Sequence, residues 1–166
     1  MSEALSMAER AGDVVVQSRC LTYLTVAARF AGDVDVVEVR ARLSRTVAAT
    51  GDMVEYESAA EANLAWVDLR RGDATGAAQR AAEALELWRP LGLVYGFQWQ
   101  ALFPLLAVRL AAADGPGALE CASAMLDVAQ QRLPDEVWLP LESAVTEGTT
   151  VPLHASTGAA RRLGYL

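Results

Sequence analysis

Leu64-Ala65-Trp66-Val67-Asp68-Leu69-Arg70-Arg71-Gly72-Asp73-Ala74-Thr75-Gly76-Ala77-Ala78 carries the end of one helix, a turn and the start of the next. Arg70 and Arg71 complement the negative end of a helix dipole. Gly72 accepts the left-handed backbone that closes a helix, because it has no Cβ to clash. The Asp73 carboxylate then accepts the unpaired N–H groups that open the following helix. Gly followed by Asp therefore reads as stop, then start, and the same pair stands at Gly12-Asp13, Gly32-Asp33 and Gly51-Asp52. Weaker marks follow at Pro90-Leu91-Gly92, Asp114-Gly115-Pro116 and Pro134-Asp135. Apolar stretches of helical length separate them, which predicts an all-α protein of about 7–8 helices.

Ser2 to Ala11 is expected to form a short amphipathic helix. A second runs from about Asp13 to Ala31 with Val16, Cys20, Leu24, Ala27 and Ala28 inward, and a third from Asp33 to about Ala49 with Val36, Val37, Leu43 and Val47 inward. Glu38 and Arg42 are four apart on an exposed face of the third. Asp52 and Glu55 have capping-box spacing, so a fourth helix is expected from there to Arg71. The fifth, Asp73 to about Trp88, is rich in alanine and lets a neighbour approach closely. The sixth ends near Ala113 and contains Pro104, which predicts a kink or a late start. A seventh is expected from Pro116 to Arg132 and a short eighth from Asp135 to Val145. Gly148 to Pro152 reads as extended linker, with a turn or two after Ser156.

The 166 residues suit one domain, divided here into a helical body over 1–146 and a linker or docked tail over 147–166. No apolar run approaches the ~20 residues of a membrane span. The start Met1-Ser2-Glu3-Ala4 lacks a secretory leader, so a cytoplasmic location is expected. The net charge is −7 and every basic residue is arginine, a bias that favours a bacterial source and disfavours direct nucleic-acid binding. Cys20 and Cys121 read as buried free thiols. With no C-x-x-C pair and His154 remote from both, neither a zinc site nor another cofactor is expected.

A shift of 40 residues lays Cys20 on Ala60, Leu24 on Leu64, Gly32 on Gly72, Val37 on Ala77 and Ala41 on Ala81. A further shift of 41 lays Ala60 on Ala101, Leu64 on Leu105, Asp73 on Asp114, Ala77 on Ala118 and Ala81 on Ala122. Two helices per repeat is the pattern of an α-solenoid, whose units bury their faces against their neighbours.

On Leu64-Ala65, Gly72-Asp73, Ala77, Ala81 and Ala84-Leu85, the chain resembles the tetratricopeptide (TPR) family over about residues 18 to 132. The first hairpin departs at Val37 and Ser44, and the third at Ala113 and Met125. The repeat is longer than the ~34 residues of a standard TPR. In that, and in Ala62-Asn63-Leu64-Ala65-Trp66 with Ala84-Leu85-Glu86-Leu87-Trp88, it is similar to the helical repeat segments of bacterial signal-transduction ATPases and LuxR-type regulators. The resemblance implies a right-handed α-solenoid of antiparallel hairpins and a non-catalytic module that binds a peptide or protein partner in a signalling or transcription-regulator system. It also implies a concave surface formed by the first helix of each hairpin. Carried over by position, that surface comprises Arg19, Thr22, Val26 and Arg29, then Ala62, Asn63, Trp66 and Arg70, then Gln100, Phe103 and Ala107.

Arginines at the edge of such a groove, with Trp66 and Phe103 inside, suit a peptide or an apolar effector, whereas the plainer reading makes both rings core. Trp88, Tyr95, Phe97 and Trp99 surround an irregular junction and are expected to pack the second hairpin on the third, the alternative being a ligand pocket. Glu55, Glu57 and Glu61 read as dipole complements and solvent-facing charge. His154 has no nucleophile or carboxylate at a recognisable spacing. A binding module is therefore expected and not an enzyme. The alternatives are a sensor of small effectors and a helical enzyme whose site is invisible in sequence. Residues 1–11 resemble half of a hairpin, which predicts an exposed apolar end suited to homo-oligomer formation.

Overall fold

The computed structural model describes residues 2–91 and 95–166, and these form nine α-helices with no strand among them. In chain order they are α1 (Ser2–Ala11), α2 (Val14–Phe30), α3 (Val34–Thr50), α4 (Val54–Arg70), α5 (Ala74–Trp88), α6 (Trp99–Ala111), α7 (Gly115–Met125), α8 (Asp135–Glu147) and α9 (Val151–Arg162). A single 3₁₀ turn, Arg89–Leu91, follows α5. The punctuation at Pro90-Leu91-Gly92 is thus a tight turn as far as Leu91, and Gly92 lies outside the described residues.

Capping carboxylates open four helices. Asp13 accepts from Val16 N at 3.0 Å, Asp33 from Val36 N at 3.1 Å, Asp73 from Gly76 N at 2.8 Å and Asp114 from Gly117 N at 3.0 Å. The residue before each is left-handed: Gly12, Gly32 and Gly72, and then Ala113 with φ 56°. The third Gly-Asp pair departs from this pattern. Asp52 takes the left-handed conformation, Gly51 has φ −111°, and α4 opens after Met53 with no side-chain cap. The expected Asp52–Glu55 capping box is therefore absent. A Cβ on Gly51 would lie 2.8 Å from Val14 Cγ1 at the start of α2, so a larger residue there would displace that side chain.

Consecutive helices pack on one another, and α4 also touches α2 and α6. Burial follows the two shifts seen in the sequence. Val37, Ala77 and Ala118 are fully buried, as are Ala41, Ala81 and Ala122; Cys20, Ala60 and Ala101 are buried one helix earlier. Small side chains at these positions let α3, α5 and α7 approach the helices before them. The central helix α4 is buried without a break from Ser58 to Val67. By contrast α1 buries only Ala8, and Met7, Val15 and Val16 are exposed.

Two expected helix limits are corrected. The seventh ends at Met125 and not at Arg132. Asp127 turns the chain by accepting from Ala129 N at 2.8 Å, and the segment that follows pairs with residues 95–98 through Gln131 N to Gly96 O at 2.8 Å. Val151 and Pro152, the end of the span read as linker, open α9, which runs on to Arg162, with Pro152 in the first turn, where a missing N–H costs nothing. Leu153 is fully buried there, and the Ser156 hydroxyl donates to the Val137 carbonyl of α8 at 3.1 Å. Docking continues to the last residues: Gly164 is left-handed against the Phe30 backbone, and Leu166 is buried.

Candidate functional site

Arg19, Thr22, Tyr23, Val26 and Phe30 line one face of α2. Their spacing of three or four residues puts them on a single stripe. Opposite stand Tyr56 from the first turn of α4, Tyr95, Phe97, Trp99 and Gln100 from the entry to α6, Gln131 from the connector after α7, and Tyr165 beyond α9. Together they enclose a cavity of about 440 Å³. Among the described residues, seven of the twelve lining side chains are aromatic.

The rings brace one another. Phe30 stacks on Trp99 with centroids 6.0 Å apart, and Tyr165 meets Phe30 and Trp99 edge-on at 5.0 and 4.9 Å. Tyr95 stacks on Trp88 at 4.9 Å and is met by Phe97 at 5.6 Å. Trp88 belongs to the core, while Tyr95, Phe97 and Trp99 face the cavity, so this cluster both packs the hairpins and forms a pocket wall. Side-chain amides fix the irregular entry to α6. Gln130 donates to the Tyr95 carbonyl at 2.9 Å and accepts from Gln98 N at 3.1 Å, and Trp99 Nε1 donates to Gln131 at 3.3 Å. Burial raises the hydroxyls of Tyr95 and Tyr165 above their ordinary value, so both remain neutral donors at physiological pH.

Arg19 stands at the mouth, its Nε donating to the Tyr56 hydroxyl at 3.3 Å. Arg29, nearly three turns further along α2, is wholly buried. It donates to Asn63 Oδ1 at 3.4 Å, to the Gln100 carbonyl at 3.0 Å and to the Tyr165 carbonyl. Its guanidinium lies 5.6 Å from the Trp66 ring centroid and 5.2 Å from that of Trp99. Burial pulls its pKa down to about 9, which still leaves it charged at neutral pH.

The residues assigned to a concave surface thus divide. Arg19, Thr22, Val26 and Gln100 line the cavity. Arg29, Asn63, Ala62, Trp66 and Phe103 are buried, Phe103 touching Tyr165 at 5.9 Å. Arg70 lies over the Trp66 ring at 5.1 Å and lines a second cleft with Leu69, Arg161 and Leu166. Ala107 lines a smaller hollow with His154 and Thr157. Tyr23, Phe30, Tyr56, Gln131 and Tyr165 were not singled out in the sequence. The i, i+7 spacing of Tyr23 and Phe30 on α2 is the one available signal for those two; Tyr165 has none, because it arrives from the tail.

Glu61 is buried and not solvent-facing. It is shared between Arg45 of α3 at 2.6 Å and Arg80 of α5 at 2.8 Å, and Arg80 also holds Asp68 at 2.8 Å. Its carboxylate is saturated by these pairs, which gives it a structural role in joining three helices. Both cysteines are buried and free, and burial pushes the Cys121 thiol up to about 11, which makes it unreactive. Among the described residues, no three His, Cys, Asp or Glu side chains are grouped to hold a metal ion. No helix of these residues is long and apolar enough to cross a membrane. No family model, curated protein or solved structure matches the chain.

Proposed function

We propose that the chain is a non-catalytic recognition module: a TPR-like, right-handed α-solenoid whose α2, α4 and α6 form the recognition layer and whose aromatic cavity receives a small effector. The observation that carries this reading is the cavity itself. Its volume falls in the range of small-molecule sites, and its lining combines apolar walls with a few polar groups. Neighbour-to-neighbour helix packing and matched burial at the repeat positions support the solenoid. The natural setting of such a module is regulatory, in a bacterial cytoplasmic signalling or transcription-regulator system.

A peptide or protein partner is the second reading. It is favoured by the exposure of Tyr23 and Phe30, which extends apolar surface beyond the cavity mouth.

The test is a fluorescence titration with the neutral probe N-phenyl-1-naphthylamine. Saturable binding at one site per chain is expected, lost in Val26→Trp and in Gln131→Trp, two variants that fill the cavity from opposite walls. Failure of the wild-type protein to bind the probe saturably overturns the effector reading.

A further inference from the structure

Resting on the reading of the aromatic cavity as a ligand site, we infer that its ligand is an aromatic monoanion, a flat apolar body bearing one carboxylate or similar acid group that pairs with Arg19.

Charge around the cavity is one-sided. Among the described residues, Arg19 is the single side chain of its lining that is charged at neutral pH. Residues 92–94, between the 3₁₀ turn and Tyr95, are Gly, Leu and Val and add no charge. Glu55 acts on the Tyr95 hydroxyl but does not line the cavity. In a chain of net charge −7, most arginines find a carboxylate: Arg42 and Arg71 meet Glu38, Arg45 and Arg80 meet Glu61, and Arg109 meets Glu120. Arg19 meets none among the described residues. Its Nε is tied to the Tyr56 hydroxyl, which orients the guanidinium and leaves both terminal nitrogens available. A guanidinium so placed matches a planar acid group by two parallel hydrogen bonds.

An aromatic cage in an acidic protein would ordinarily suggest a cationic guest, and here the geometry opposes one. Trp99, the ring that joins Phe30 to Tyr165, already carries the Arg29 guanidinium 5.2 Å from its centroid. A cationic ligand would therefore meet Arg19 at the mouth and Arg29 behind the wall, and the ring that would attract it is occupied. The opposite extreme fails as well. One arginine with neutral Thr22, Gln100 and Gln131 does not balance a polyphosphate, which the protein's own charge repels. A single negative charge on an aromatic body fits both limits.

Three fluorescent probes separate the possibilities. 1-Anilinonaphthalene-8-sulfonate and N-phenyl-1-naphthylamine share one ring system and differ by a sulfonate, and thioflavin T is an aromatic cation. The sulfonate is expected to bind wild-type protein about tenfold more tightly than its neutral counterpart, the equivalent of one charge-assisted hydrogen bond. Arg19→Gln is expected to erase that advantage by weakening the sulfonate far more than the neutral probe, with circular dichroism showing that the variant is folded. Val26→Trp is expected to exclude both. Equal affinities for the two naphthylamines in wild-type protein, or tighter binding of thioflavin T, overturn the charge assignment and leave the cavity reading standing. Equal weakening of both naphthylamines by Arg19→Gln overturns the assignment too. No saturable binding of any probe takes down the cavity reading and this inference together.

Discussion

Arg29 donates through Nη1 to the backbone carbonyl of Gln100 at 3.0 Å, the acceptor that residue 104 would use in an uninterrupted helix. Residue 104 is a proline and has no N–H to give. A vacancy created by one helix is thus filled by a side chain from another, some seventy residues earlier in the chain. The same guanidinium holds the Tyr165 carbonyl, so α2, α6 and the tail meet at one buried cation.

This relationship has a thermodynamic signature. Arg29→Met leaves the Gln100 and Tyr165 carbonyls unpaired and is expected to lower stability by about 2 kcal/mol. Pro104→Ala restores a helical donor to Gln100, so it is expected to help the Arg29→Met protein more than it helps the wild type. A coupling of about 1 kcal/mol in a urea-denaturation double-mutant cycle is the expected outcome, and strict additivity would refute the shared acceptor.

Ala113 occupies, at φ 56°, the left-handed position that glycine holds in three equivalent turns. An alanine there carries a backbone penalty of roughly 1–2 kcal/mol, partly offset by the smaller entropy it loses on folding. Ala113→Gly is therefore expected to raise stability by about 0.5–1 kcal/mol, and Gly72→Ala to lower it by about 1 kcal/mol. Thermal melts of the two variants should move in opposite directions.

The turns were legible in sequence because Gly72-Asp73 and its counterparts act through local backbone chemistry. Ala41, Ala81 and Ala122 were legible because a repeated small residue marks a repeated contact. The cavity was not, for a different reason in each wall. Tyr95 and Phe97 sit in an irregular entry held by Gln130, which no helical period reveals. Tyr165 reaches the site from a tail whose helix has Pro152, a residue read as linker, in its first turn. The family resemblance puts Arg29 on the concave surface by position, and Glu61 reads as solvent-facing because charge ordinarily seeks water. Each is buried because partners distant in sequence satisfy it: backbone carbonyls for Arg29, two guanidiniums for Glu61.

Glu38 links α3 to the end of α4 by accepting from Arg42 at 2.8 Å and Arg71 at 2.7 Å. Those hydrogen bonds, Arg71 first, hold its carboxyl down from 4.5 to about 2. A folded-state pKa below the unfolded value contributes stability that is present above pH 4.5 and is lost as the pH falls towards 2. Glu38→Gln removes this contribution. The stability difference between wild type and variant is therefore expected to be largest at neutral pH and to shrink steadily between pH 4.5 and 2, which paired urea titrations across that window would reveal. A difference independent of pH would contradict the role given to the two arginines.

Gly164 closes the site from the tail side, and its replacement tests whether the docked tail shapes the cavity. A Cβ at this position would lie 2.7 Å from Phe30 Cα and 2.9 Å from the Phe30 carbonyl oxygen, both backbone atoms that cannot swing aside. The residue is also left-handed, at φ 81°. Gly164→Ala thus meets a steric and a conformational penalty together, and the tail is expected to lift from α2 at a cost of about 2 kcal/mol. Lifting it withdraws the Tyr165 ring from Phe30 and Trp99 and takes an acceptor from Arg29. Changed Trp99 fluorescence and weaker binding of the neutral naphthylamine probe are expected, with helix content by circular dichroism nearly unchanged. A variant with native stability and native probe affinity would show that the tail is not part of the wall.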